Sequence, residues 1–230
     1  GGPGGGDGGG GVCGKGRTGG TIMNVGLVEE NVSGSGGALG SLAGVNDGTI
    51  SDAYAIGNVT DTSNGKGISN TASSNSGNAA GGLIGVNEGT ISDAYVTENV
   101  TQNSILGGHA TVGGLVGLNY YGTISNVYAT GNMRSTSYNG ETGDLVGYNY
   151  YGTISNAYAT GNVNGTGGTG TTKTGGLVGY NYYGTISNAY ATGNVTGSAL
   201  SEVGGLVGYN SGSISNAHAT GKGTCSYRNA

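Results

Sequence analysis

One segment recurs along this chain with little change. Gly143 to Val163 reads GDLVGYNYYGTISNAYATGNV, and Gly175 to Val195 reads GGLVGYNYYGTISNAYATGNV. Gly113 to Met133 is a third close copy, and Gly204 to Lys222 is a shorter one. Gly40 to Val59 and Gly81 to Val100 are earlier, more divergent copies, and Gly20 to Val32 reads as a worn half-copy. The shared leucine falls at Leu42, Leu83, Leu115, Leu145, Leu177 and Leu206, at intervals of 41, 32, 30, 32 and 29 residues. The motif barely changes length, so the slack lies between each GNV and the next GGL. A constant segment joined by variable ones describes stacked units with loops emerging on one side.

Composition narrows what each unit is. Of 230 residues, 56 are glycine, one is proline, none is Phe or Trp, and 8% are charged. Helical bundles need Ala-, Leu-, Glu- and Lys-rich segments, which are missing here. Collagen needs glycine at every third residue and abundant proline. Disorder is the remaining rival for a Gly/Ser/Thr/Asn-rich chain. Between the arms, however, many glycines fall in fixed repeat slots, as bend residues of positive φ or close backbone approach do, and the unpatterned glycines, chiefly in residues 1–20 and Gly165 to Gly170, read as flexible chain.

Each unit reads as two strands, GLVGYN and TISNAYATGNV, with room for a third in the variable part. Period two turns Ile154, Ala157, Ala159 and Val163 inward and Tyr158, Thr160 and Asn162 outward, with a bend at Ser155-Asn156. The fold expected is all-β: a parallel β-solenoid with about one 30-residue repeat per coil and a rise of about 4.8 Å, so that six coils span about 29 Å. Residues 1–19 form a Gly-rich arm, 20–39 a degenerate first coil, 40–222 the six repeats and 223–230 a tail.

Stacking turns each repeat slot into a column. Asn46, Asn87, Asn119, Asn149, Asn181 and Asn210 share one, and a stack of amides satisfies itself by hydrogen bonds. Tyr120-Tyr121, Tyr150-Tyr151 and Tyr182-Tyr183 recur at one corner of three coils, a ladder suited to binding or assembly. His218 takes the place of Tyr54, Tyr95, Tyr128, Tyr158 and Tyr190, and His109 stands in a variable loop. Asp47 and Glu88 share a slot, as do Asp52 and Asp93. If these carboxylates cluster, they offer hard oxygen ligands for Ca²⁺ or, as an alternative reading, the acid pair of a carbohydrate-active β-helix. No cofactor is otherwise expected. Thr130, Thr160, Thr192 and Thr220 form a threonine column, which raises ice binding as a third reading. Sequons fall at Asn31, Asn58, Asn99, Asn164 and Asn194, about as many as composition yields by chance. Cys13 and Cys225 flank the repeats and permit an intramolecular bond, if the arm folds back, or an intermolecular one.

The run GGLVGYN-x-x-GTISNAYATGNV resembles the GLUG motif, over roughly Gly40 to Lys222. That resemblance implies a tandem module of large secreted or surface-attached bacterial proteins, adhesin-like proteins and IgA-specific peptidases among them, with no catalytic residue in the repeat itself. The expected product is a non-enzymatic, extracellular or cell-surface solenoid: an adhesin module, stalk or end-to-end filament subunit. Its partners would be copies of itself, surface glycans or host proteins. The net charge of -5 and pI of about 4.7 exclude a basic nucleic-acid footprint. No apolar run is long enough for a membrane span.

Overall fold

The computed structural model describes residues 17–62, 78–103, 109–167 and 170–226. Every regular element among them is a strand, and every pairing between strands is parallel. The chain winds as a β-solenoid of six coils, preceded by a partial coil at residues 17–34. Each coil carries an isoleucine segment, Thr-Ile-Ser in coils 1 to 5, in register: Ile22, Ile50, Ile91, Ile124, Ile154, Ile186 and Ile214 stack in one line.

Four walls enclose the interior. The first is built from the GLVG segments, such as Val146–Tyr150, in a seven-stranded sheet. The second holds the TISN segments, such as Thr153–Ala159, and the third the GNV segments, such as Val163–Gly165. The fourth is a return wall of six short strands, the third strand for which the variable part left room, running from Ala38–Leu39 through Asn78–Gly81 and Glu141–Gly143 to Glu202–Gly204. In the partial coil and coil 1 the second and third walls are single strands, Thr21–Gly34 and Thr49–Asp61. From coil 2 onward they divide at the T-G-N (in coil 2, T-E-N) bend. At the ends, Arg17–Thr18 pairs into the first wall, and Gly223–Ser226 pairs with Val195–Ser198, so the rod claims residues assigned by sequence to arm and tail.

The core has two main apolar lobes, and a smaller third cluster of Val45, Ala79, Val86 and Leu118 joins the first wall to the return wall. One packs the GLVG leucines and valines against the TISN isoleucines and alanines, with Leu145, Val146, Ile154, Ala157 and Ala159 as its coil-4 members. The other packs Val100, Met133, Val163 and Val195 of the third wall against Leu39, Ala80 and Val112 of the return wall. Between the lobes the two facing bends carry glycines, Gly114 with Gly131 and Gly176 with Gly193. These glycines serve close approach more than unusual backbone angles. A Cβ at Gly161 would run into the carbonyl oxygen of Gly131 in the coil below. Among described glycines only Gly36 and Gly37 have positive φ, 84° and 101°.

Candidate functional site

Positive φ is instead assigned to other residues. Asn24, Asp52, Asp93, Asn126, Asn156, Asn188 and Asn216 occupy one column in the second wall, each with φ between 47° and 57°. Asn and Asp tolerate this left-handed region better than other side chains. Their amides then bridge coils: Asn126 Nδ2 donates to Asp93 Oδ1 at 3.3 Å and Asn156 Nδ2 to Asn126 Oδ1 at 3.1 Å. Asp52 and Asp93 are therefore ladder members at the bend, while Asp47 and Glu88 lie in the preceding turn. Among the described residues no three His, Cys, Asp or Glu side chains come together as metal ligands would.

The turn from first to second wall is organised by a buried asparagine ladder. Asn46, Asn87, Asn119, Asn149 and Asn181 each donate Nδ2 to the Oδ1 of the next Asn, ending on Asn210, every bond at 2.8 Å. The same Nδ2 also donates to a glycine carbonyl across the turn. In coils 1, 2 and 6 that glycine is two residues on, at Gly48, Gly89 and Gly212. In coils 3 to 5 it is three residues on, at Gly122, Gly152 and Gly184. These three turns contain one extra residue.

The extra residue is tyrosine each time, and it is strained. Tyr121, Tyr151 and Tyr183 have φ of 55°, 50° and 49°, a conformation costing roughly 1–3 kcal/mol in a non-glycine residue. Their rings are 58%, 42% and 58% exposed. They stack in order, Tyr121 on Tyr151 at 5.2 Å and Tyr151 on Tyr183 at 5.4 Å. Beside them Tyr120, Tyr150 and Tyr182 form a second stack at 5.1 and 5.2 Å. The two stacks meet edge to face, at 81°, 69° and 83°. Two further columns are less exposed: Tyr54 to Tyr190, closed by His218 at 5.3 Å, and Tyr148 on Tyr180 at 4.9 Å.

Under the Tyr148 column lies a cluster that the repeat pattern did not announce. Glu141 is buried, with Oε1 3.2 Å from His109 Nε2 and 3.5 Å from Lys173 Nζ. Burial pulls the His109 pKa down, but the hydrogen bond and charge of Glu141 outweigh burial and Lys173, so the net shift is upward. Burial, with the Glu141 charge and neighbouring rings adding to it, raises the Tyr148 phenol. The interior also holds two acids at slots that are glycine in most other copies. Glu98 accepts from Ser41 Oγ at 2.8 and 3.0 Å. Burial drives its pKa up to about 7, with the Ser41 bond opposing and Glu30 adding to the rise. Asp144 accepts from the Gly161 N–H, and burial holds its pKa well above the usual carboxylate range. Their signal in the sequence was a single departure from glycine.

The GLUG motif matches residues 76–101, 108–133, 139–164, 170–196 and 199–224. These blocks make up more than half of the chain and fall on coils 2 to 6. The chain belongs to the GLUG-motif family. Comparison with curated proteins found no match. The copy at residues 40–59 lies outside the matched blocks, yet it builds the same walls as the five matched GLUG coils. Along the third wall of the GLUG rod a further asparagine column is exposed. Asn58 Nδ2 donates to Asn31 Oδ1 at 3.1 Å, Asn99 Nδ2 to Asn58 Oδ1 at 3.2 Å, and Asn194 N to Asn162 Oδ1 at 3.0 Å. Sequon residue Asn164 is also exposed, in Val163–Gly165. Thr160, Thr192 and Thr220 are exposed at the second bend, and Thr130 is half-buried. Cys225 is an exposed free thiol in the last strand; Cys13 lies outside the described residues.

Proposed function

We propose that this GLUG solenoid is a non-enzymatic, extracellular structural and adhesive rod, using the double tyrosine stack as its contact surface for glycans or proteins of a host or neighbouring cell. The observation that carries this reading is the strained insertion at Tyr121, Tyr151 and Tyr183. Coils 1, 2 and 6 make the same turn without the extra residue, so the insertion is not needed for stacking. Asn or Gly would occupy the left-handed position at lower cost. Three consecutive coils instead hold an exposed aromatic there, and strain of this kind clusters at contact sites. The double stack presents ring edges and hydroxyls along an uncharged stretch, a surface suited to apolar contact and hydrogen bonding together. The rod itself supplies rigidity and requires no cofactor.

The test is the triple substitution Tyr121→Asn/Tyr151→Asn/Tyr183→Asn. Asn accepts the backbone angle, so circular dichroism and melting temperature should stay close to those of the parent chain. Adsorption to mucin-coated and polysaccharide-coated surfaces should fall by about tenfold or more, as for loss of a central aromatic anchor. A folded triple variant that adsorbs as well as the parent chain overturns the reading.

A further inference from the structure

The inserted tyrosines belong to a larger aromatic network. Nine of the 16 tyrosines, from Tyr120 in coil 3 to Tyr209 in coil 6, touch ring to ring, each centroid within 5.7 Å of another. The chain has no Trp, whose indole would give up an electron first, and only two Cys and two Met. One-electron oxidation of this rod therefore ends on tyrosine, and the network lets the radical pass from ring to ring until it meets a reaction partner. Two conditions decide where it reacts: a second phenol at contact distance, and space for both rings to turn. The inner stack fails the second. Tyr150 is wedged among Tyr121, Tyr148 and Tyr151, at 5.6, 5.7 and 4.8 Å, and their planes cross its own at 74°, 85° and 69°. The Tyr54 to Tyr190 column is stacked at 4.8–5.1 Å, but its rings are half-buried on strand residues. The outer stack meets both conditions. Tyr121, Tyr151 and Tyr183 stand on turns, and about half of each ring is open to solvent.

We propose that this outer stack is a site of oxidative modification, where a haem peroxidase working with hydrogen peroxide joins Tyr151 to Tyr121 or to Tyr183 as dityrosine. Hydrogen peroxide takes one electron and one proton from each of two phenols and leaves as two waters. The two phenoxyl radicals pair their electrons in a new bond between ring carbons ortho to oxygen, a Cε of one tyrosine and a Cε of the next. Each of those carbons then passes its hydrogen, as a proton, to its own ring oxygen, and both phenols are restored. The pair has lost two hydrogens in all. The starting geometry favours this step. Tyr121 and Tyr151 lie 5.2 Å apart with their planes within 6°, and Tyr151 and Tyr183 lie 5.4 Å apart within 20°. From there a swing of the exposed rings about their Cβ–Cγ bonds brings ortho edge to ortho edge. Rings held in one rod meet at an effective concentration of about millimolar, so at micromolar protein coupling within the rod outruns coupling between rods by about a thousandfold. The bond closes a loop of 30 residues from Tyr121 to Tyr151, or of 32 from Tyr151 to Tyr183. It restricts the unfolded chain as a disulfide does, and it ties together coils that otherwise hold one another only by non-covalent contacts.

The experiment treats the 230-residue chain, at micromolar concentration, with a haem peroxidase and hydrogen peroxide. Dityrosine fluorescence should appear in material that still runs as monomer on a reducing gel, and the mass should fall by two hydrogens for each link. Peptide mapping should place the link between Tyr121 and Tyr151 or between Tyr151 and Tyr183, and the treated chain should melt at a higher temperature than the untreated one. In the variant Tyr121→Phe/Tyr151→Phe/Tyr183→Phe the rings still stack but carry no phenol, so dityrosine in the monomer should fall by about tenfold or more. Circular dichroism checks that this variant remains folded. The variant Tyr95→Phe/Tyr128→Phe/Tyr158→Phe should keep the parent yield. Absence of dityrosine, or its confinement to covalent dimers, overturns the inference. Links mapped chiefly between Tyr128 and Tyr158, or a full yield from the Tyr121/Tyr151/Tyr183 Phe variant, overturn the site. Oxidation of the Phe variant and adsorption of the Asn variant are separate readouts, so failure of the modification leaves the adhesive reading standing, and the reverse.

Discussion

At Glu98 a carboxyl stands in a slot that is glycine in coils 1 and 3 to 6, between two apolar lobes, with Ser41 as its hydrogen-bond donor. Its pKa of about 7 in the folded chain, against an ordinary 4.5, means that the native state holds the proton more tightly than the unfolded one. Stability from this group is therefore complete below about pH 4.5 and is lost as pH rises through about 7. The loss is on the order of 3 kcal/mol. Glu98→Gln should flatten that part of the stability profile, and denaturant midpoints at pH 5 and pH 8 check it. An unchanged pH dependence in the Gln variant would place the effect elsewhere. The buried amide ladder sets a second expectation. Replacing Asn149 by Leu leaves the Asn181 Oδ1 without its donor in the interior, while the Asn119 Nδ2 keeps its bond to Gly122 and the Gly152 carbonyl keeps the Thr185 N–H. At about 1–3 kcal/mol for the unsatisfied oxygen, urea midpoints should report a loss of about 1–3 kcal/mol. A loss below about 0.5 kcal/mol would mean that the ladder closes around the gap.

Among the elements, the first-to-second-wall turn exists in two lengths within one chain, and both keep the asparagine-to-glycine bond. Deleting Tyr151 should therefore convert the coil-4 turn to the short form, with Asn149 donating to the glycine two residues on. Removing the left-handed tyrosine relieves strain while losing its stacking, so the two effects roughly offset and the melting temperature should move by only a few degrees. Collapse of the fold on deletion would show that the long turn is required for stacking. The TISN and GLVG walls were legible in the sequence because side chains do their work: Ile154 fills a lobe, Asn149 bonds its neighbours, and identical slots demand identical residues. Of the return wall only a place was legible, as room for a third strand in the variable part. Its strands read NAAG, ATVG, ETG, KTG and EVG, sharing little beyond the last glycine, because backbone hydrogen bonds hold them and one aligned position takes Ala, Thr, Glu or Lys alike. The tyrosine columns were legible as repeats. The strain of Tyr121, Tyr151 and Tyr183 was not, since only the turn geometry shows which Tyr of each pair is left-handed. The Glu141 cluster escaped because its members come from variable segments.

For the whole molecule, each coil touches only the coils above and below, so stability accumulates from neighbour to neighbour rather than from one centre. Position along the rod should then matter more than residue type. Ile154 is enclosed by Ile124 and Ile186, and trimming it to Ala should cost about 2–5 kcal/mol. Among the described residues Ile214 has a stacking neighbour on one side only and is 37% exposed, so the same truncation there should cost about 1 kcal/mol or less. Amide exchange should follow the same gradient, slowest in coils 3 to 5 and fastest in the last coil, whose strands pair on one side only among the described residues. Hydrogen exchange read coil by coil checks this, and protection that is uniform from Thr49–Asp61 to Ser213–Ala219 would show instead that the rod opens as one cooperative unit.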